Sequence, residues 1–249
     1  MPSDDLEHQD RQSVGSVVKA SAVLNSFDRT RTWQSIAEIS AVTGIHRTTV
    51  YRLARTLQDL GWLTSRSDGR FGIGLELLRL GSLSAEQITL NHSARPVLEK
   101  LSVESKEGTY LFVRNKARTI CIDRFMGSEP VQLSTIRVGQ SLPLTFGSAS
   151  MVFLAFDDDP VVKEALGSPR VDLARVEQTR STGYALNREE AAPGIFALSA
   201  PVYGSGQNPV AAISVAGLAP RFVEEKVEAV REALLAACAE LSETLLLNR

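Results

Sequence analysis

Residues Ser35–Leu63, SIAEISAVTGIHRTTVYRLARTLQDLGWL, carry the most informative pattern in the first third of the chain. The stretch opens with a capping box, in which the Ser35 hydroxyl accepts a hydrogen bond from the Glu38 N–H and the Glu38 carboxylate reaches back to the start of the helix. A short helix is therefore predicted over Ile36–Ala41. Thr43-Gly44 ends this helix, because glycine readily adopts the left-handed conformation of a C-cap.

A second helix is predicted from about His46 to Leu60. Two short helices joined by a tight glycine turn are typical of a helix-turn-helix, in which the second helix recognises DNA. The apolar residues of this helix recur at helical spacing and are expected to be buried: Val50, Leu53, Ala54, Leu57 and Leu60. The opposite face carries hydroxyl and guanidinium groups, which suit phosphates and base edges: Arg47, Thr48, Tyr51, Arg52 and Arg55.

The flanking sequence predicts a third helix and a β-hairpin. Downstream, Trp62–Thr64 and Phe71–Ile73 flank Ser67-Asp68-Gly69, and Asp-Gly between two short apolar runs is a hairpin signal. Upstream, a helix over Val14–Phe27 has apolar residues at helical spacing: Val17, Ala20, Leu24 and Phe27.

Arg66 and Arg70 lie beside the hairpin turn, where the wing of a winged helix-turn-helix would contact DNA. Taken together, the capping box, the glycine turn, the arginine-bearing face and the hairpin favour DNA binding over a protein-contact domain with a solvated basic face. The predicted DNA-contacting residues are Ser35, His46, Arg47, Thr48, Thr49, Tyr51, Arg52, Arg55, Arg66 and Arg70.

The charge distribution agrees with this interpretation. The 249 residues carry a formal net charge of −2, but residues 11–75 hold nine basic and four acidic side chains. Residues 76–249 hold 18 basic and 21 acidic side chains, and residues 1–10 hold four acidic ones. A basic first third on an otherwise acidic protein is typical of a nucleic-acid-binding module joined to a different domain.

Composition places the chain among ordinary soluble proteins. It is 43% hydrophobic and 22% charged, which excludes collagen-like and globally disordered classes. No apolar run reaches the roughly 18 residues of a membrane span, and residues 1–10 lack the order of a signal peptide. Only Cys121 and Cys238 are present, so no disulfide framework is expected. A cytoplasmic protein is predicted.

Four stretches together resemble the IclR family of bacterial transcriptional regulators. They are the quoted helix-turn-helix run with GRFGIGLELLRLG after it, GQSLPLTFGSASMVFLA (Gly139–Ala155), RSTGYALNREEAAPGIFALSAPV (Arg180–Val202) and AAISVAG (Ala211–Gly217). The resemblance covers about residues 13–245. It implies a homodimer or homotetramer that binds double-stranded operator DNA, and a small-molecule effector that alters DNA affinity from the C-terminal domain. A catabolic operon is the expected target.

The expected organisation has four parts. Residues 1–12 form an acidic disordered tail, 13–75 the winged helix-turn-helix, 76–106 a helical linker and 107–249 the effector-binding domain. The linker is expected to contain two helical pieces interrupted near Asn91–Pro96. Whether it acts as a lever that sets the spacing of two DNA-binding domains or as an inert spacer stays open.

The second domain reads as an α+β fold, an antiparallel sheet flanked by helices. Helices are predicted over Ala149–Ala155 and Val171–Gly183, whereas Asp157-Asp158-Asp159 reads as a loop that ends a helix. Strands are predicted at Tyr110–Arg114, Thr119–Arg124, Val131–Ser134, Leu142–Leu144, Tyr184–Asn187, Ile195–Val202 and Val210–Val215. A terminal helix, Arg221–Leu247, is expected to bury Val223, Val227, Val230, Leu234, Leu241 and Leu245. The resemblance implies that this domain is a GAF-like sensor.

The resemblance also implies an effector pocket, which has no Lys, Arg or His. Asn187 stands where the family often has an acidic residue, and Ala197 where it often has cysteine. Because the loss of a carboxylate at Asn187 removes a repulsion, a small carboxylic or aromatic acid is the hypothesis for the effector. Simple core packing is the alternative. The implied positions are Val131, Ser134, Leu142, Ser148, Ala149, Asn187, Ile195, Ala197, Ser214 and Ala216.

Enzyme and metal functions find little support. Gly147-Ser148-Ala149-Ser150 lacks the second glycine of a G-x-S-x-G elbow, and no histidine follows His92. No metal-binding motif and no dinucleotide fingerprint is present, so neither a metal nor a cofactor is expected. The alternatives that stay open are a sensor whose helix-turn-helix contacts proteins and, least favoured, a small-molecule hydrolase.

Overall fold

The computed structural model describes residues 13–87, 89–128, 136–190 and 192–247, with main chain only at 84–87 and 89. The chain divides after Gln87 into two compact units. The expected acidic tail and the predicted strand at Val131–Ser134 lie outside the described residues.

The first unit is a winged helix-turn-helix, as predicted. Its two short strands pair antiparallel and place Leu63 opposite Ile73. Gln34 forms an isolated bridge to Phe71, which ties the chain before the helix-turn-helix to the returning strand. The elements are α1 (Gly15–Asn25), α2 (Ile36–Thr43), α3 (Arg47–Asp59), β1 (Leu63–Ser65), β2 (Phe71–Ile73) and α4 (Leu75–Gln87).

Local chemistry explains the bounds of α2. The Ser35 hydroxyl accepts from the Glu38 N–H, and the Glu38 carboxylate accepts from the Ser35 N–H at 2.7 Å, so the predicted capping box is confirmed. Gly44 caps the other end with φ of 69°, in the left-handed region that favours glycine.

The core of the first unit corrects one expectation, the burial of Leu60. It is formed by Val23, Ile39, Val50, Ala54, Leu57, Leu63 and Phe71. Leu60 follows the last residue of α3 and is 55% exposed, because the helix ends before that side chain reaches the core. Val17 is 64% exposed, since only the second half of α1, around Val23, packs inward.

The second unit is built on an antiparallel sheet of six strands with the order β5-β4-β3-β8-β7-β6. The central pair, β3 and β8, places Tyr110 opposite Ser214. The strands are β3 (Gly108–Asn115), β4 (Arg118–Phe125), β5 (Ser141–Pro143), β6 (Ala185–Arg188), β7 (Ile195–Tyr203) and β8 (Pro209–Leu218).

Helices cover both faces of this sheet, which confirms the predicted α+β class. One face packs on α5 (Thr89–Ser105) and α9 (Glu224–Leu247). The other packs on α6 (Ser148–Phe156), α7 (Pro160–Leu166) and α8 (Leu173–Thr182). A 3₁₀ turn at Ala219–Arg221 precedes α9. None of the described helices is long and apolar enough to cross a membrane.

Strand alternation assigns side chains to the two faces. Along β7, Phe196, Leu198 and Ala200 enter the core beneath α5 and α9. Ala197 and Ser199 therefore point to the opposite face, toward α6. This alternation creates the floor of the site described below.

The expected helical interruption near Pro96 is wrong. Pro96 lies inside α5, whose apolar residues Ala94, Val97, Leu98 and Leu101 enter the core of the second unit. Proline removes one helical hydrogen bond, and the burial of this apolar face offsets the loss. The segment expected to be a linker is thus shared between the units, with α4 in the first and α5 in the second.

One expectation in the second unit is confirmed and one needs correction. The loop Asp157-Asp158-Asp159 follows the last residue of α6 as predicted, and in addition the Asp159 carboxylate accepts from the Val161 N–H and caps α7, which Pro160 begins. Val223 is 58% exposed rather than buried, because it precedes the first residue of α9. Val230, Leu234 and Leu241 are buried as predicted.

Candidate functional site

The exposed face of α3 brings most of the predicted DNA-contacting residues together. His46 caps the helix, and its Nδ1 accepts from the Thr48 N–H at 3.4 Å. The first turn and the outward face expose His46, Arg47, Thr48, Tyr51, Arg52 and Arg55, while Thr49 is half-buried. Arg55 donates to the Gln58 side chain at 3.3 Å. This face of the helix thus presents guanidinium and hydroxyl groups, which donate hydrogen bonds, to solvent.

The wing holds its two arginines differently. The Arg66 guanidinium lies 3.7 Å from the centre of the Trp33 ring and is exposed. Arg70 pairs with Glu38 at 3.0 Å and donates to the Trp33 carbonyl at 3.1 Å. A Cβ at Gly72 would lie only 3.0 Å from the same Trp33 ring, so glycine permits close packing there. Arg70 therefore ties the wing to α2.

The charges on this surface are largely uncompensated. Within residues 13–87, Arg47, Arg52, Arg55 and Arg66 form no ion pair, whereas Arg70 does. Ser35 differs from the other predicted residues, since its hydroxyl is engaged in the capping box. The surface thus combines four available cations, on α3 and the wing, with hydroxyl groups.

A cavity of about 270 Å³ lies between α6 and the sheet in the second unit. Its volume is close to the lower end of the range for small-ligand pockets, which is about 300–1,000 Å³. The residues that line it are Tyr110, Phe112, Ile136, Gln140, Leu142, Phe146, Gly147, Ser148, Ala149, Asn187, Ala192, Ile195, Ala197, Ser214, Ala216 and Gly217.

Eight of the ten positions implied by the resemblance line this one cavity. They are Leu142, Ser148, Ala149, Asn187, Ile195, Ala197, Ser214 and Ala216. Val131 and Ser134 lie outside the described residues. The structure thus brings together residues from β5, α6, β6, β7 and β8 that are far apart in the sequence.

Sequence reasoning missed the aromatic wall of the cavity. Tyr110 and Phe112 are nearly fully buried on β3, and Phe146 precedes α6. The alternation Tyr110-Leu111-Phe112 indicates that the two rings share one face of a strand. It does not indicate that this strand pairs with β8. That neighbour relation depends on pairing across about a hundred residues.

Two of the polar residues that line the cavity, Ser148 and Ser214, are linked by hydrogen bonds through a third serine. Ser199, beneath the floor, donates to the Ser148 hydroxyl at 2.8 Å and lies 2.6 Å from the Ser214 hydroxyl. Ser148 begins α6, and Gly147 before it has φ of 82°. The N–H groups of a first helical turn point along the axis and attract negative charge.

No charged side chain lines the described part of the cavity, but one lies directly behind it. Glu107 is fully buried and pairs with Arg221 at 2.5 Å and with Lys226 at 2.7 Å. A Cβ at Gly217 would overlap the Glu107 Oε2 atom and approach the Phe222 ring. Glycine at this position therefore lets the ion cluster pack against the cavity wall.

The two cysteines are buried thiols rather than reactive groups. Burial raises the pKa of Cys121 to about 12 and that of Cys238 to about 12. A thiol with such a pKa holds almost no thiolate near neutral pH. The described residues also contain no His, Cys, Asp and Glu group arranged to hold a metal ion.

Each of the two units matches a known protein family model. A family model for the IclR helix-turn-helix domain matches residues 16–67, and one for the bacterial transcriptional regulator IclR C-terminal domain matches residues 83–243. The HTH-type transcriptional regulator KipR of Bacillus subtilis is 27% identical over 240 residues, which cover 91% of this chain and 95% of KipR.

Solved structures share the fold. An IclR family transcriptional regulator from Brucella abortus has a TM-score of 0.81 at 21% identity, covering 98% of this chain and 97% of its own. An IclR homolog from Microbacterium hydrocarbonoxydans, complexed with 4-hydroxybenzoate, has a TM-score of 0.73 at 22% identity and covers 92% and 99%. With both domains matched, the chain belongs to the IclR family of bacterial transcriptional regulators.

Proposed function

We propose that this regulator binds operator DNA through α3 and the wing, and that a small organic acid in the cavity of the second unit changes its DNA affinity. The observation that carries the proposal is the cavity itself. Eight of the effector positions implied by the family resemblance line it, and no charged side chain lines it among the described residues. The regulated genes are proposed to belong to a catabolic operon.

The α3 surface suits DNA because it combines cations with short donors. Arg47 and Arg52 reach phosphates or guanine edges, and Thr48 reaches a phosphate or a thymine methyl. The N-terminal turn of a recognition helix is the part that enters the major groove. Arg66, stacked on Trp33, is proposed to contact the DNA backbone beside that groove. Arg70 and Ser35 are proposed to support this surface through Glu38.

The cavity suits a small acid with an apolar body. Tyr110, Phe112 and Phe146 supply aromatic surface, while Ser148 and the first turn of α6 supply hydrogen-bond donors. A carboxylate bound there is stabilised by donors and by the helix dipole without a basic residue. The complex of an IclR homolog with 4-hydroxybenzoate supports an aromatic acid as one member of this class.

The organisation follows from these roles. Residues 13–75 are proposed to bind DNA and residues 107–249 to bind the effector, in a cytoplasmic homodimer or homotetramer. Exposed apolar side chains of the first unit, Val14 and Val18 on α1 and Leu75 and Leu78 on α4, support a subunit contact. No catalytic role is proposed, and no histidine lines the described part of the cavity.

The test is a fluorescence-anisotropy titration of the purified protein on the DNA upstream of its own gene, with a scrambled duplex as competitor. Binding at least about a thousandfold tighter than to the scramble is expected. Addition of 4-hydroxybenzoate or benzoate is expected to shift the curve. Equal weak binding to the upstream duplex, the scramble and a library of genomic fragments, with and without acid, would contradict the DNA-binding proposal and favour protein contacts by the helix-turn-helix.

A further inference from the structure

Three serine hydroxyls form a chain at the floor of the cavity. Ser148 begins α6, Ser199 lies on β7 and Ser214 lies on β8. Ser199 is fully buried and does not line the cavity, whereas Ser148 and Ser214 both do. The two lining hydroxyls are therefore joined through a third that a ligand does not touch.

The direction of the chain follows from the single hydrogen on each hydroxyl. Ser199 donates to Ser148, as the geometry at Ser148 allows only that direction. Ser199 has then no second hydrogen to give, so Ser214 must be the donor in its 2.6 Å contact with Ser199. Among the described residues, the Ser148 hydroxyl meets no acceptor of its own.

We propose that Ser199 is a positioning residue for the effector. By donating to Ser148, it turns the Ser148 hydrogen toward the cavity and makes Ser148 a hydrogen-bond donor to the bound acid. By accepting from Ser214, it leaves only the lone pairs of Ser214 for a ligand. Linked hydroxyls also polarise one another, which strengthens the last bond in the chain. The inference rests on the proposed function of the cavity as an acid-binding site.

The hydrogen-bonded serine hydroxyls fix which end of the cavity donates hydrogen bonds and which end accepts them. A carboxylate oxygen fits the end formed by Ser148 and the first turn of α6, because both supply donors. A hydroxyl group of the ligand fits beside Ser214, because the Ser214 oxygen can accept its hydrogen bond. The two ends lie at most two hydrogen-bond lengths apart, so small acids that carry a nearby hydroxyl satisfy both.

A double-mutant cycle on the full-length protein tests this role. Affinity for sodium benzoate and for sodium acetate is measured by calorimetry for wild type, Ser148→Ala, Ser199→Ala and the double variant. Each single variant is expected to weaken benzoate binding about tenfold. The double variant is expected to bind benzoate as weakly as Ser148→Ala alone, because benzoate carries no hydroxyl for Ser214 and Ser199 therefore acts on this probe through Ser148.

Ser150→Ala is the matched control. Ser150 is also a buried serine of α6, but it hydrogen-bonds Thr119 and the Pro143 carbonyl and does not line the cavity. This variant is expected to keep benzoate affinity within about twofold. Ser199→Cys, which keeps a weak donor at similar size, is expected to bind with intermediate affinity and covers the case in which Ser199→Ala fails to fold.

The outcomes separate the inference from the function beneath it. Losses that add in the double variant, or wild-type affinity in Ser199→Ala, would overturn the role of Ser199 and leave the acid site intact. A wild-type protein that binds neither benzoate nor acetate would contradict the acid-binding function itself, and the positioning role with it.

Discussion

The α3 surface and the cavity of the second unit are proposed to recognise their ligands in opposite ways. The α3 surface is exposed, rich in uncompensated arginines and built almost entirely from one short stretch of chain. The cavity is a partly open recess, free of charge along its described lining and assembled from strands and helices distant in sequence. Interactions at the first depend on salt and single charges, whereas those at the second depend on shape and on the direction of hydrogen bonds.

Filling the cavity should produce the largest effect and should leave the other region unaffected. Ala197→Phe places a ring in the space that an effector needs, so affinity for benzoate is expected to fall on the order of a hundredfold. DNA binding without effector is expected to stay unchanged in anisotropy titrations. Leu173→Phe, at an exposed position that does not line the cavity, is the control. Retained affinity in Ala197→Phe would place the effector elsewhere.

Removing one cation from α3 tests the other side of the comparison. Arg55→Ala is expected to weaken operator binding about twentyfold, and a phosphate contact would also reduce the salt slope by about one. Lys19→Ala, an exposed cation on α1, serves as the control and is expected to change binding little. If both variants lose affinity equally, the α3 face has no special role.

A charge introduced into the neutral cavity sharpens the contrast. Asn187→Asp places a carboxylate at a buried position and is expected to weaken benzoate binding about tenfold at pH 8. Burial raises the pKa of the new carboxyl, so the loss should be smaller at pH 6, where more of it is neutral. Calorimetry at the two pH values measures this, and wild-type affinity at both would contradict a role for Asn187.

Stability of the first unit depends on the capping box. Ser35→Ala is expected to destabilise it by about 1 kcal/mol, because the Glu38 N–H loses its acceptor. Both tryptophans, Trp33 and Trp62, lie in this unit, so their fluorescence reports its unfolding separately. Ser67→Ala, at the exposed hairpin turn, is the control. An unchanged urea midpoint in Ser35→Ala would contradict the assigned cap.

The smallest effect expected is a pH dependence confined to the same unit. Hydrogen bonds from the Ser35 N–H and hydroxyl, and the charge of Arg70, lower the pKa of Glu38 from its ordinary value of 4.5. A carboxyl with a lowered folded-state pKa stabilises the fold above its ordinary pKa, and this stabilisation is lost as the pH falls through the folded-state value. Tryptophan-monitored urea midpoints should therefore fall more steeply below pH 4.5 in wild type than in Glu38→Gln. Parallel profiles would contradict this.

Local patterns predicted the first unit well because its bounds depend on near neighbours. The Ser35 cap, the Gly44 turn and the Asp68-Gly69 hairpin each act within a few residues, and the structure has all three elements. Periodicity was less informative at element ends. Val17, Leu60 and Val223 are exposed because a helical stripe does not show where packing stops.

In the second unit, tertiary contacts determine features that local sequence patterns do not predict. Pro96 reads as a helix breaker, but packing by Val97 and Leu98 keeps α5 continuous. The aromatic wall of the cavity arises where β3 pairs with β8, and no short-range pattern carries that pairing. The family resemblance supplied eight of the cavity positions, and their role in binding an effector stays a prediction.

The glycine that lets the buried ion cluster sit behind the cavity also limits how this regulator can diversify. Any side chain at Gly217 would displace Glu107 and Phe222, so that wall is closed to change. Ala149, Ala192, Ala197 and Ala216 also line the cavity with small side chains. If the proposed function holds, evolution toward new effectors, or laboratory selection of a biosensor, should therefore accumulate substitutions at these alanines and leave Gly217 untouched.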